Sequence, residues 1–376
     1  PFRFRSGGEA WWAELRPFRL GENLFWIGIV LPERDVIGAV RGQQVAMLIV
    51  VAVVLALGLT RARALAIRFG RPLEGLVAET DRITEGDLEP GPRIRTRIAE
   101  IRHLADAHDT MREGILARLK LEKIEKELDL ARQIQQGLMP QDALHPPGVD
   151  IAGWNQAADQ TGGDFYDWMR LDDGRIVVTL ADVSGHGVGP ALIMAVCRAY
   201  MRATTGFGVV DLSEGLTHVN RLLYADTPSG RFVTLVVVMV DPESRDLTLV
   251  SAGQAPLLYY EHASGEVHER DADGLPLGVI DDEHYPEPWR SLLQPGDVLL
   301  LTTDGFFEWN NPQGEQFGSK RLANFLATHH HLDAEGIIQA LHRDVRAFAA
   351  GVEQNDDLTA VVIKGTPVDE THSASG

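Results

Sequence analysis

Cysteine is nearly absent from this 376-residue chain, and the single thiol, Cys197, excludes an intrachain disulfide and a thiolate metal cluster. Its place inside the apolar run "ALIMAVCRAYM" predicts a buried, inert helix residue. Basic residues are scarce where acidic ones gather. Residues 150–376 hold 14 Lys and Arg against 34 Asp and Glu, whereas residues 61–126 hold 14 against 12. An acidic domain of that kind repels nucleic-acid backbones and attracts cations, so no nucleic-acid partner is expected and metal binding fits. The Gly-rich "GHGVGPALIMA" lacks the Lys-Ser/Thr of a Walker A loop, and Pro190 removes one amide, which disfavours a nucleotide site. A hydrophobic share of 44% excludes a disordered chain.

Charge is missing altogether from residues 45–59, "VAMLIVVAVVLALGL". With Gln43, Gln44 and Thr60 this run gives about 18 residues between Arg41 and Arg61, close to the minimum for a bilayer span, and it is apolar on every face rather than on one stripe. Arg61, Arg63, Arg68 and Arg71 follow with no acid before Glu74, so the positive-inside bias makes the C-terminal side cytoplasmic and the location the cytoplasmic membrane. Upstream, "LFWIGIVLPERDV" reads as a strand ending in a turn and resembles the last strand of extracytoplasmic Cache-type sensor domains. Beginning with Pro, the chain is expected to be a fragment of a longer protein.

Residues 71–118 resemble a HAMP signalling module. "RPLEGLVAETDRITEGDLEP" gives a Pro-started helix and the "GDL" connector, and "IAEIRHLADAHDTMREGI" gives a second helix. Ile101, Leu104, His108, Met111 and Ile115 follow coiled-coil spacing, with His108 read as a packed polar residue. A second seam, Leu121, Ile124, Leu128, Ala131, Gln135 and Leu138, is out of phase with the first, which implies a shift in register. Seams of this kind call for a partner, and a parallel homodimer is the simplest one.

From about residue 150 the pattern turns β-rich, with runs such as "RIVVTLADV", "FVTLVVVMVD", "DVLLLTTDG" and "LTAVVIK" joined by short turns. Antiparallel pairing therefore dominates, and helical runs near 189–205, 211–226, 318–328 and 333–350 make the class α+β. Carboxylates stand where these strands stop: Asp164 and Asp167 in "GGDFYDW", Asp182 in "ADVSGHG", Asp304 in "TTDGFFE", Asp356 and Asp357 in "NDDLTAVV". Any one of them is explained by the preference of Asp for turns. Four clusters beside apolar strands point instead to convergence, and converged carboxylates without Cys or paired His select Mg²⁺ or Mn²⁺. Two such ions about 3.5–4 Å apart can activate a water and clamp a phosphate for in-line attack.

At these residues the chain resembles the PPM-type protein phosphatases, related to protein phosphatase 2C, and specifically their bacterial branch typified by stage II sporulation protein E and sigma-regulatory phosphatases. "GGDFYDW", "ADVSGHG", "SAGQAPLLYY", "TTDGFFEWNNPQGEQFG" and "NDDLTAVVIK" match in order, and "ELDLARQIQQGLMP" is similar to the linker of that branch. The resemblance implies two antiparallel sheets stacked face to face with helices outside, an αββα core. It implies that Asp182 bridges two Mn²⁺ or Mg²⁺ ions and that the Val183 carbonyl binds one. Asp304 and Asp356 hold the ion on the opposite side, Asp164 contributes through the first motif, and Asp357 supports the site or binds a third ion. His186 lies four residues after Asp182, where eukaryotic relatives place a histidine two residues after, and its expected role is to brace the turn or cap the next helix. Gln254 stands where the family usually has His. "GGDFYD" also resembles cyclic-dinucleotide synthases, but Phe165 replaces the Glu expected there.

The expected organisation is a remnant of an extracytoplasmic sensor domain (1–42), a transmembrane helix (43–60), a HAMP module (61–118), a coiled-coil linker (119–140), a phosphatase domain (150–365) and a flexible tail (366–376). The expected function is hydrolysis of phosphoserine or phosphothreonine on a cytoplasmic regulatory protein of the anti-sigma-factor antagonist type. The competing expectation is a degenerate scaffold that only binds a partner, against which the full set of Asp positions argues.

Overall fold

The computed structural model describes residues 1–35, 39–206, 211–228 and 230–367, and the chain divides into two compact units, Pro1–Leu121 and Glu122–Gly376. Most of the expected tail lies outside the described residues. In the first unit, β1 (Phe2–Ser6), β2 (Glu9–Leu20) and β3 (Asn23–Pro32) form an antiparallel sheet in the order β1-β2-β3. The expected strand at "LFWIGIVL" is β3.

Helix α1 (Ala39–Thr84) carries the uncharged run, whose residues are all exposed, and it is the one helix among the described residues long and apolar enough to cross a membrane. No new helix begins at Pro72, contrary to expectation: Pro72 lies inside α1. Proline removes one amide from the ladder, but the helix formers around it, including Leu73, Glu74, Leu76 and Ala78, carry the helix through. Helix α2 (Ala99–Leu138) follows, and side chains tie down the connector between the two. Arg112 Nη1 donates to the Leu88 carbonyl at 3.1 Å, and the Gly91 amide donates to Glu79 Oε1 at 3.2 Å. His108 Nε2 meets Thr80 Oγ1 at 3.1 Å, the packed polar role expected of it. The change of seam register occurs with no break in α2.

In the second unit every strand pair is antiparallel, as the short turns predict. The strands are β4 (Val149–Gln156), β5 (Phe165–Arg170), β6 (Ile176–Val183), β7 (Val233–Val240), β8 (Asp246–Ala252), β9 (Leu257–Glu261), β10 (Glu266–Arg270), β11 (Trp289–Leu292), β12 (Val298–Thr302) and β13 (Leu358–Gly365). They form two five-stranded sheets, β10-β9-β12-β13-β4 and β11-β8-β7-β6-β5. Among the described residues five helices accompany them: α3 (Val188–Gly206), α4 (Leu212–Asp226), the single turn α5 (Gly305–Glu308), α6 (Ser319–His329) and α7 (Ala334–Ala349).

The period-2 direction of side chains along a strand explains the layering. On β12 and β13, Leu299, Leu301, Val361 and Ile363 join the core shared with β6, β7 and β8, where Cys197 and Met194 of α3 are also buried. Their neighbours Leu300, Ala360 and Val362 point the other way, into a second core with Leu322, Ile337 and Leu341 of α6 and α7. Burial pushes the Cys197 thiol up to about 12, so it is inert as expected. Truncating a core Leu here to Ala costs about 2–5 kcal/mol.

The second seam needs a correction. Leu121 and Ile124 are exposed, but Gln135 is buried and Leu138 half-buried within the second unit. A 3-4 spacing marks an apolar face, not what covers it. In its last turns the covering surface is the chain's own domain.

Candidate active site

Antiparallel order brings the start of β5, the end of β6, the end of β12 and the start of β13 to one end of the stacked sheets. Asp164 precedes β5, Asp182 and Val183 finish β6, Asp304 follows β12, and Asp356 and Asp357 precede β13. Electrostatics registers the convergence. Burial, then repulsion from Asp182 and Asp357, hold the Asp164 carboxyl well above the usual range. Burial, then Asp304, push Asp182 up to about 7, although a hydrogen bond with Asp164 works in the opposite direction. Burial, then Asp356 and Glu308, push Asp304 up to about 6, and burial is the first cause that raises Asp356. Carboxyls this crowded hold their protons to higher pH than free aspartates, and a cation among them would relieve the repulsion.

The individual environments divide the labour. Asp164 is buried, and its Oδ2 accepts from the hydroxyls of Thr303 and Thr359, each at 2.7 Å. Asp357 has both oxygens engaged by backbone amides: Oδ1 by Ala158 at 2.8 Å, Oδ2 by Gly163 at 2.7 Å and Asp164 at 3.4 Å. Asp357 therefore holds the first motif in place. Asp356 Oδ1 accepts from the Asp357 amide at 2.9 Å. Asp304 Oδ1 is buried with no hydrogen-bond partner.

Close backbone approach completes the site. A Cβ on Gly163 would lie 2.6 Å from the Val183 carbonyl oxygen, so only glycine allows the first loop to press against that carbonyl. Linker helix α2 reaches the same loop: Gln135 Nε2 donates to the Gly162 carbonyl at 2.5 Å, and the Gly162 amide donates to Gln135 Oε1 at 3.1 Å.

Three readings change with the geometry. Asp167 leaves the constellation: three residues beyond Asp164, it faces away and pairs with Arg202 at 2.5 Å and Arg198 at 3.0 Å. Gln254 is a bridge between the sheets, accepting from Thr234 Oγ1 at 2.6 Å and donating to the Thr302 carbonyl at 2.8 Å. His186 caps no helix. Its Nδ1 lies 2.6 Å from Asp159 Oδ2. Thr303, Thr359, Asp159 and Glu308 were not singled out in the sequence, and Gln135 was read only as a seam position. Only Thr303 and Thr359 carried a signal, as polar residues beside the Asp of "TTDG" and "DDLT".

The donor set fits hard divalent cations. It offers carboxylates and a backbone carbonyl, and it contains a buried carboxylate oxygen with no donor. Among the described residues no group of three or more His, Cys, Asp or Glu side chains forms a ready cage.

Comparison with known proteins agrees with this fold. The family model described as stage II sporulation protein E (SpoIIE) matches residues 172–366. The phosphoserine phosphatase RsbU of Bacillus subtilis is 25% identical over 243 residues, which are 65% of this chain and 71% of the relative. The phosphoserine phosphatase RsbP of the same organism is 29% identical over 186 residues, 49% of this chain and 45% of RsbP, so less than half of that relative is spanned. Among solved structures, the SiaA-PP2C domain of Pseudomonas aeruginosa superposes with a TM-score of 0.56 at 23% identity, covering 65% of this chain and 98% of that one. The RsbU and RsbW domains of Rv1364c from Mycobacterium tuberculosis superpose at 0.51 with 27% identity, covering 59% and 61%.

Proposed function

The chain belongs to the stage II sporulation protein E (SpoIIE) family and has its PP2C-like fold, and from that premise we propose that it is a membrane-anchored, metal-dependent protein-serine/threonine phosphatase. The observation that carries this reading is the gathering of Asp164, Asp182, Asp304 and Asp356 at one end of the sheets, with Asp304 Oδ1 buried and partnerless. Two relatives named phosphoserine phosphatases support it.

Asp182, the Val183 carbonyl, Asp304 and Asp356, with Asp164 contributing through the first motif, would hold two Mn²⁺ or Mg²⁺ ions. The ions supply a water acidic enough to attack phosphorus and the positive charge that the phosphate oxygens need. Thr303 and Thr359 fix the Asp164 carboxylate, and Asp357 fixes the loop behind it. With no usable thiol, the chain contributes no covalent nucleophile from cysteine.

The substrate is a phosphorylated cytoplasmic regulatory protein of the anti-sigma-factor antagonist type. The division proposed for the rest of the chain is a sensor remnant over 1–42, a span over 43–60, a HAMP module over 61–118 and a linker over 119–140 that pairs two chains in parallel. The test is phosphate release from a phosphorylated antagonist by the full chain in detergent. Turnover is expected with Mn²⁺ and none in EDTA, and Asp182→Ala abolishes it with circular dichroism unchanged. Full activity in EDTA, or near-normal activity of Asp182→Ala, refutes the proposal.

A further inference from the structure

A cleft of about 660 Å³ opens beside the first carboxylate motif. On one side it is lined by the end of α2, with Arg132, Gln136 and Met139, and on the other by Trp154, Asn155 and the loop that runs on to Gln160. That loop leads into Asp164, and its Asp159 lies 2.6 Å from His186 Nδ1 of the second motif. One end of the cleft is therefore next to the carboxylates.

Strand β4 is an edge of its sheet. Along any strand the main-chain groups point alternately to one neighbour and to the other. Ile151 points outward, and the segment after α2 already pairs with it in antiparallel sense: the Leu144 amide donates to the Ile151 carbonyl at 2.8 Å, and the Ile151 amide to the Leu144 carbonyl at 2.9 Å. The pairing of β4 with β13 keeps one register from Val149 to Gln156, so Gly153 and Asn155 point outward as Ile151 does. Among the described residues their amides and carbonyls have no hydrogen-bond partner, although both residues are half-buried. Main-chain groups in such a place call for a partner. Arg132, with no ion pair among the described residues, adds a positive charge on the facing side.

We propose that the cleft seats an extended segment of the phosphoprotein substrate as an added antiparallel strand on β4, with the phosphoserine N-terminal to the paired residues; this rests on the phosphatase reading of the site. Strand β4 runs toward the carboxylates, so an antiparallel partner starts at them and runs on toward the Leu144 segment. Main-chain pairing supplies affinity with little regard to sequence, and Arg132 complements the negative charge of a phosphorylated segment. A second copy of β4 would bring its own α2 into the same space, so a single extended segment fits where another sheet edge does not.

A ladder of this kind uses every second residue of the added strand, so damage to it has a period of two, which recognition through side chains does not reproduce. The experiment uses the full chain in detergent with Mn²⁺ and a polar phosphoserine peptide long enough to fill the cleft. Copies of the peptide are N-methylated at one amide each, C-terminal to the phosphoserine. The value of kcat/KM is expected to fall about 10-fold at alternate positions, the worth of a lost hydrogen bond, and to stay near that of the parent at the positions between. Gln136→Trp, which fills the cleft from α2, raises KM for the peptide about 10-fold. It turns over p-nitrophenyl phosphate, which has no main chain to pair, as the wild type does.

Losses of equal size at every position, or at none, overturn the added strand. So does a Gln136→Trp variant that slows both substrates alike. A change of its oligomeric state in sedimentation with the peptide KM unchanged gives the cleft to a second copy and overturns the proposal as well. If the wild type hydrolyses neither the peptide nor p-nitrophenyl phosphate, the phosphatase reading falls and the docking with it. Turnover of both with no periodic loss removes the docking alone.

Discussion

Asp304 and Asp357 look alike in the sequence, each an Asp beside an apolar strand, yet one has a buried oxygen that no donor reaches and the other gives both oxygens to three amides. The first is suited to a cation and the second to holding a loop. Both positions were legible because a carboxylate next to a strand end is visible in one dimension. The hydroxyls on Asp164 were not, because Thr303 and Thr359 lie 139 and 195 residues away along the chain. A separation of 27 residues hid Asp159 as the partner of His186. The crowding of the acids has a signed consequence. Asp182 and Asp304 hold their protons to about 7 and about 6, above the 3.8 of a free aspartate. Between those limits the folded chain binds more protons than the unfolded chain, so rising pH lowers stability. In EDTA the urea midpoint should fall as pH rises from about 4 to about 7, and Asp304→Asn should flatten the fall. A midpoint that rises through that window contradicts the crowding.

At the level of elements, most strands and the long helices were readable from their periods, and the edge strands β10 and β11 were not. β10, "EVHER", has polar residues on both faces, and β11, "WRSL", is four residues long, so neither carries a hydrophobic pattern. Pro72 misled in the other direction, since a proline one turn into a helix and one in its middle read alike. Helix α2 is the element with most bearing on function. Its last turns leave the expected partner seam and clamp the peptide of Gly162, two residues before Asp164. Gln135→Ala leaves a buried amide and carbonyl unpaired, a cost of about 1–3 kcal/mol. It also frees the loop that orients Asp164, so the Mn²⁺ concentration for half-maximal activity should rise about 10-fold, as for other groups that support metal ligands. Destabilisation with an unchanged Mn²⁺ requirement would mean that the helix is only a tether.

Across the whole molecule, charge distribution carries most of what the sequence says about place and partners. The arginines at 61, 63, 68 and 71 on one side of the uncharged run are the basis for proposing that residues 61–376 are cytoplasmic, and the acidic second unit favours cations over nucleic acid. Protease added outside intact cells should therefore spare the phosphatase domain, and its digestion there would reverse the orientation. The central claim is that Asp182 bridges two divalent ions between the ends of the two sheets. Anomalous diffraction at the manganese edge from crystals grown with Mn²⁺ tests it most directly. Two peaks are predicted, both in contact with Asp182, one also touching Asp304 and Asp356 and the other the Val183 carbonyl. Crystals of active enzyme with no peak at Asp182, or with peaks only elsewhere on the surface, would contradict it.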